Sequence, residues 1–257
     1  MDSTHREHFT VRSYEVDPDG RLRLVVLVRM LQEAAWQHAH ILGKGFHHRE
    51  EGALFWVLSR LRLHIDRYPR WGDAFTVRTY PVGTEKLFAV REFALHDEAD
   101  EIIARATSGW LVVDGGRGRP VRPERVVSDL VLADREFPAD LDRAADPPTA
   151  DSPTADHVRA VGPQPVRYRD IDQYRHVNNA SYLEWVLDAA DPDRAMTACV
   201  SDLAIDFLKE TLLGDTYTVR LQSDSSQPGP TDHFEITRGP TGEPAVRGTL
   251  TWHPRAR

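Results

Sequence analysis

Residues 58–78, LSRLRLHIDRYPRWGDAFTVR, align without a gap on residues 200–220, VSDLAIDFLKETLLGDTYTVR, at an offset of 142. Ser59/Ser201, Leu61/Leu203, Gly72/Gly214, Asp73/Asp215, Thr76/Thr218, Val77/Val219 and Arg78/Arg220 are identical pairs. Further on, the same offset pairs Arg105 with Arg247, Thr107 with Thr249 and Trp110 with Trp252. One offset held over roughly fifty residues implies an internal duplication. Gly72-Asp73 and Gly214-Asp215 read as turns between neighbouring strands. Around them the pattern predicts strands over 54–66, 73–82, 87–97 and 101–114 in the first copy. In the second copy it predicts 199–209, 215–224, 232–238 and 244–253.

Upstream of its strands, each copy begins with a short extended stretch containing D-x-D: Asp17-Pro18-Asp19, and Asp170-Ile171-Asp172. Each then enters an apolar helical pattern. Leu27, Met30, Leu31, Ala34 and Ala35 recur at helical spacing in the first copy, and Leu183, Val186, Leu187 and Ala190 in the second. Val25, Val28 and Trp36 add apolar surface to the first helix, and Tyr182 and Trp185 to the second, which marks both as buried. Asn178 or Asn179 is the expected N-cap of the second helix, and Asp191-Pro192 its expected stop. Strand, helix, then consecutive strands predicts an α+β fold, with an antiparallel sheet packed around one long helix in each copy. The expected domains are 1–127 and 161–257. Between them, residues 128–160, rich in Asp, Ala and Pro, read as a solvated linker.

Composition sets outer bounds. The chain has 257 residues, 40% hydrophobic and 28% charged, as an ordinary globular protein does. Its net charge of -8 argues against a nucleic-acid partner, which needs a basic footprint. Cys199 is the single cysteine, so no intrachain disulfide forms. No apolar run approaches the ~20 residues of a membrane span. The first residues, MDSTHREHFTVRSYEV, carry no signal-like apolar segment, so a cytoplasmic location is the expectation.

Several chemical signatures are missing: the G-x-S-x-G elbow, the phosphate-binding loop and G-x-G-x-x-G. A lone cysteine and no H-E-x-x-H speak against zinc. His47-His48 and His5/His8 read as structural or solvated rather than as metal ligands. The two copies differ in where their titratable residues have collected. After its D-x-D the second copy runs Gln173-Tyr174-Arg175-His176-Val177-Asn178-Asn179, where the first has Gly20-Arg21-Leu22-Arg23-Leu24. Before the Gly-Asp turn the second has Glu210, where the first has Tyr68. Two readings are open: surface residues have drifted, or one copy has kept a site and the other only packing.

The spacing D-x-D-x-x-x-H-V-N-N-x-x-Y-x-x-W, at Asp170, Asp172, His176, Val177, Asn178, Asn179, Tyr182 and Trp185, resembles the active-site segment of the acyl-ACP thioesterases of plants and bacteria. Residues 12–39, 55–73 (FWVLSRLRLHIDRYPRWGD) and 207–215 (FLKETLLGD) resemble further segments of that family, in the same order. The resemblance implies a double hotdog fold, two tandem sheets each wrapped around a helix, and thioester hydrolysis without a cofactor. It carries the catalytic Asp, His and Glu to Asp172, His176 and Glu210. Tyr174 stands where the family usually has Asn.

The chemistry is consistent with these residue types. A thiol of pKa about 8.5 leaves readily, so the need is an activated water or carboxylate nucleophile and donors for an oxyanion. Glu210 is then base or nucleophile, His176 polarises water or carbonyl, and Asp172 orients the cluster. Asn178, Tyr174 and Val177 are candidate substrate contacts, with backbone N–H groups from Val177 to Asn179 at a helix N-terminus as oxyanion donors. Each residue also has a purely structural reading: N-cap, turn aspartate, satisfied histidine, surface glutamate. Met30, Trp36 and Phe55 could line an acyl tunnel or belong to the core.

The implied partner is an acyl carrier protein. Carriers of this kind are acidic, so an acidic enzyme needs a local basic patch. Residues 117–125, RGRPVRPER, are the densest basic stretch, and both a docking surface and a solvated loop remain open there. A chain with two copies could itself form the pairing that single-domain relatives make as dimers, so monomer and homodimer are both open. The alternatives to acyl-ACP hydrolysis are an acyl-CoA or polyketide-type carrier thioesterase, and a non-catalytic binder of acyl thioesters.

Overall fold

The computed structural model describes residues 3–45, 54–137, 139–144, 155–224 and 230–255, without the side chains of 155–157. His47 and His48 lie outside the described residues. The chain divides into two compact units, Met1–Leu141 and Asp142–Arg257.

In the first unit, strand β1 (His5–Thr10) is followed by helix α1 (Leu24–Ile41), β2 (Leu54–Ile65), β3 (Ala74–Glu85), β4 (Phe88–His96), β5 (Ile102–Asp114), β6 (Arg119–Val121) and the short helix α2 (Glu124–Val127). Its sheet has the order β1-β3-β4-β5-β2, antiparallel throughout, with β6 added on β5. In the second unit, β7 (Ala155–Pro165) precedes α3 (Asn179–Ala189), α4 (Pro192–Thr197), β8 (Ala198–Phe207), β9 (Thr216–Asp224), β10 (Thr231–Arg238) and β11 (Glu243–Pro254). Its sheet runs β7-β9-β10-β11-β8, also antiparallel. Strand for strand the order is the same, which is the α+β duplication expected from the 142-residue offset.

Each helix buries its apolar side. Leu24, Leu27, Val28, Leu31, Ala34, Ala35 and His38 of α1 are buried, as are Tyr182, Leu183, Trp185, Val186 and Ala189 of α3. Phe93, Leu95 and Val77 form core in the first unit; Ile205, Phe234, Ile236 and Leu250 do so in the second. Trp185 stacks on Tyr217 of β9 with ring centroids 3.6 Å apart. The Asp191-Pro192 pair ends one helix by starting another. The Asp191 side chain accepts the Arg194 N–H at 2.9 Å and Pro192 opens α4, the position that tolerates a missing N–H.

Part of the stretch read as solvated linker also holds contacts to the first sheet, although Asp134, Arg135, Glu136 and Asp140 are exposed. Residues 133–137 and 139–141 lie along the first sheet as a strap. The Ala133 N–H bonds the Pro81 carbonyl at 3.0 Å. The fully buried Glu92 carboxylate accepts the N–H groups of Glu136 and Phe137 at 2.8 and 3.1 Å, and Arg135 Nε at 3.3 Å. Leu141 packs with Phe88 and Val90. Arg91 reaches His38 of α1, so its strand neighbour Glu92 faces the opposite side of the sheet. The strap therefore covers the face away from the helix. At the other end of the stretch, β7 begins at Ala155.

Candidate active site

The site is built on the turn that leads into α3. Asp172 N–H bonds the His176 carbonyl at 2.8 Å, and Arg175 N–H bonds the Asp172 carbonyl at 3.0 Å. The Asp172 carboxylate accepts the N–H groups of Tyr174 and His176 at 2.8 and 3.3 Å. Val177 N–H reaches the Thr211 carbonyl at 2.9 Å, and Asn178 N–H the Asp170 carbonyl at 2.8 Å. Isolated bridges pair Ile171 with Val177 and His176 with Leu212.

The first unit repeats this turn bond for bond. Asp17 N–H bonds the Arg21 carbonyl, Gly20 N–H the Asp17 carbonyl, Leu22 N–H the Pro69 carbonyl and Arg23 N–H the Glu15 carbonyl. The Asp17 carboxylate accepts from Asp19 and Arg21 N–H at 2.9 and 3.0 Å. This corrects the sequence pairing of the two D-x-D motifs. Asp17, the first acid of its motif, matches Asp172, the last of the other. The offset is 155 ahead of the helices and 142 after them, the difference lying between the helix start and the next strand, where α1 has 18 residues and α3 has 11.

In the second unit, the turn and the segment that follows β8 bring two titratable side chains together: His176 Nε2 lies 3.1 Å from Glu210 Oε2. His176 is mostly enclosed, with its side chain 16% exposed, while Glu210 is 53% exposed and open to water. The Glu210 backbone is anchored by Arg238 Nη1, which donates to its carbonyl at 2.6 Å. At the equivalent positions the first unit has Arg21 and Tyr68. Asp172 does not meet this pair side chain to side chain; it holds the backbone on which His176 sits.

The candidate substrate contacts separate. Asn178 is the N-cap of α3, its Oδ1 accepting the Ala180 N–H at 2.9 Å. Val177 is buried, and Tyr174 is 38% exposed. Of the expected oxyanion donors, the N–H groups of Val177 and Asn178 are already bonded within the turn; Asn179 N–H has no acceptor among the described residues. Thr211 was missed from sequence: it is fully buried, and its carbonyl ties the turn to the segment after β8 that carries Glu210. Its only sequence signal is position, opposite Pro69 at the 142 offset. Burial against Trp185 and Phe207 pushes the Tyr182 phenol up to about 12. Arg175 holds φ +65°, a left-handed conformation that costs a residue with a side chain about 1 kcal/mol.

The remaining candidates fall elsewhere. Met30 and Trp36 lie on α1, Met30 buried and Trp36 stacked on His40, while Phe55 lies on β2. His5 pairs with Glu7 at 2.9 Å and His8 with Thr76 at 2.9 Å. No group of three or more His, Cys, Asp or Glu that could hold a metal occurs among the described residues. No described helix is long and apolar enough to cross a membrane.

Two tandem helix-and-sheet units of one topology, with His176 and Glu210 paired in the second where the first has Arg21 and Tyr68, define a double hotdog protein. Residues 2–131 match the acyl-ACP thioesterase N-terminal domain and residues 155–254 the acyl-ACP thioesterase C-terminal domain. The chain belongs to the acyl-ACP thioesterase family. It is 29% identical to a chloroplastic palmitoyl-acyl carrier protein thioesterase of Cuphea hookeriana, over 97% of this chain and 62% of that one. It is 28% identical to the chloroplastic dodecanoyl-[acyl-carrier-protein] hydrolase of Cinnamomum camphora, over 97% of this chain and 68% of that one. This chain therefore spans less than two thirds of the Cuphea hookeriana relative. In structure it is similar to an acyl-ACP thioesterase from Bacteroides thetaiotaomicron, with a TM-score of 0.77, 25% identity and 98% of each chain covered. The 12:0-ACP thioesterase from Umbellularia californica shares the fold, with a TM-score of 0.79 at 23% identity over 98% of this chain and 94% of that one.

Proposed function

We propose that this chain hydrolyses fatty acyl thioesters of acyl carrier protein, releasing free fatty acid and the carrier thiol. The observation that carries the reading is the 3.1 Å contact of His176 with Glu210 in the second unit, on a turn whose twin in the first unit holds neither residue. Family membership and the names of the relatives support it.

Water enters beside Glu210, the open member of the pair, whose carboxylate takes a proton as the water oxygen bonds the thioester carbonyl carbon. His176 donates to Glu210 and keeps the carboxylate aimed. Asp172 acts through the backbone, fixing the turn that presents His176. Negative charge on the carbonyl oxygen is met by the Asn179 N–H at the α3 N-terminus, where the helix dipole is positive. Collapse breaks the C–S bond, and the thiolate recovers the proton from Glu210. Tyr174 and Val177 flank the turn as substrate contacts, and Asn178 contributes by capping α3. No step calls for a cofactor. The proposed division of labour places catalysis in the C-terminal hotdog domain, 161–257, and packing without catalytic residues in the N-terminal domain, 1–127. A cytoplasmic location and a monomer or homodimer complete the reading.

The test is thiol release from matched acyl-ACP and acyl-CoA, with Glu210→Gln beside the parent. Release by the parent and its loss in the folded variant is expected. An unchanged rate in Glu210→Gln ends the mechanism; preference for acyl-CoA moves the substrate to the other carrier, a possibility Tyr174 keeps in view.

A further inference from the structure

Arg175 is an arginine where the turn favours glycine. Its twin, Gly20, takes φ +76° without a Cβ to strain. Six backbone and carboxylate bonds are common to the two turns, so turn geometry does not ask for arginine here. Nor does packing, because Arg175 is exposed. Lys86 and Asp100 also hold positive φ, so the conformation alone assigns no role; at Arg175 it is the setting beside the site that points to function.

Its surroundings share a chemistry. Arg167 and Arg169 are also turned outward, the Arg169 side chain 82% exposed. Tyr168 is 85% exposed and Tyr174 38%. The acids of the same stretch are engaged largely with the backbone: Asp170 is buried, accepts the Arg167 N–H at 2.7 Å and lies 3.9 Å from Arg169 Nε, and Asp172 holds the turn. The exposed side chains of the stretch leading to His176 are thus cationic and aromatic, on a chain of net charge -8, and the exposed acid at His176 itself is Glu210. At the positions of Arg169, Tyr174 and Arg175 the first unit has Tyr14, Asp19 and Gly20.

We propose that Arg167, Arg169 and Arg175, with Tyr168 and Tyr174 among them, are the seat of the acidic carrier protein that delivers the acyl thioester to His176 and Glu210. The proposal rests on the thioesterase reading and locates its partner. An acyl group arrives covalently attached to its carrier, so the surface around the site meets that carrier at every turnover. A negatively charged enzyme repels an acidic partner except where local charge reverses the field, and such reversal steers encounter more than it holds the complex. Residue 175 lies about 3.8 Å from residue 176 along the chain, which couples docking to delivery. The Arg117–Arg125 stretch belongs to the other unit and is not needed for this seat.

The experiment compares the parent, Arg175→Gly and Arg169→Ser/Arg175→Gly on one acyl chain carried by acyl carrier protein, by CoA and by pantetheine alone. Binding of fluorescently labelled holo-carrier is measured in parallel. For Arg175→Gly the KM for acyl carrier protein should rise about 3- to 10-fold with kcat within about twofold, and more in the double variant. Added salt should raise the parent KM and flatten in the variants. KM for acyl-pantetheine should not move, and the melting temperature of Arg175→Gly should not fall. An unchanged carrier KM and affinity in the double variant overturns the seat. An equal rise for acyl-CoA overturns it in favour of phosphate recognition. Parent binding to phosphatidylglycerol vesicles, lost in the variants while carrier KM stays fixed, overturns it in favour of a lipid surface. Failure of the parent to release thiol from any substrate refutes the thioesterase reading instead, and the carrier-binding measurement still decides the seat.

Discussion

The Asp172 carboxylate accepts the backbone N–H of His176 at 3.3 Å, as the Asp17 carboxylate accepts that of Arg21 at 3.0 Å in a unit without the pair. A bond present in both units is a property of the turn. Asparagine offers the same acceptor oxygen. Asp172→Asn should therefore keep activity within about threefold, while Asp172→Ala, which loses two acceptor contacts, should cost about 1 kcal/mol of stability and more than tenfold in kcat by misplacing His176. Thiol release and thermal melting of both variants check this. If the asparagine variant is as impaired as alanine, the charge itself acts on the reaction.

Glu210 and His176 act as one unit in the proposed mechanism, and units of that kind are non-additive. Glu210→Gln and His176→Ala should each lower kcat/KM by about 10²- to 10⁴-fold. The double variant should be no worse than the poorer single. Both should remain folded, since Glu210 is half in solvent and the turn is held by main-chain bonds. Multiplying losses in the double variant would show that the two residues work independently.

The sheets were legible because their signal is local and repeated. The Gly-Asp turns at 72 and 214 pin an alternating pattern on both sides, and the strands fall within a few residues of expectation. The site was legible as residue types but not as a pairing. Aligning D-x-D with D-x-D put Asp19 opposite Asp172, because the sheet offset cannot be extended across helices of unequal length. Only main-chain hydrogen bonds reveal the true twin, Asp17. The strap was not legible at all. Its anchor, Glu92, is an acid within an apolar strand, and the N–H groups it receives lie more than forty residues away.

Glu92 makes the strap a stability element of the first unit. Its carboxylate is fully buried and receives the N–H groups of residues 136 and 137, Arg135 and, at 3.4 Å, the Tyr80 hydroxyl. Removing one partner of a buried charged network leaves the others unsatisfied, at about 3 to 5 kcal/mol. Glu92→Ala should lower the urea midpoint accordingly and open residues 133–137 to limited proteolysis. A variant cleaved no faster than the parent in that segment would mean that Leu141 and its neighbours hold the strap unaided.

Tyr182 gives the alkaline limit of the second unit. Burial raises its phenol from the ordinary 10.0 to about 12, so the folded state holds a proton that the unfolded chain releases first. The stability linked to this group is whole below pH 10 and declines as pH rises toward 12, because over that window the unfolded state binds fewer protons. That rise corresponds to about 2 to 3 kcal/mol. Tyr182→Phe keeps the ring against Trp185, at 5.1 Å between centroids, and removes the titration. Burial also raises Tyr80, in the other unit, so some alkaline loss will remain in the variant. Urea midpoints at pH 8 and pH 11 should fall less between the two values for Tyr182→Phe than for the parent. Equal falls would mean that the phenol ionises in the folded protein as readily as in the unfolded chain.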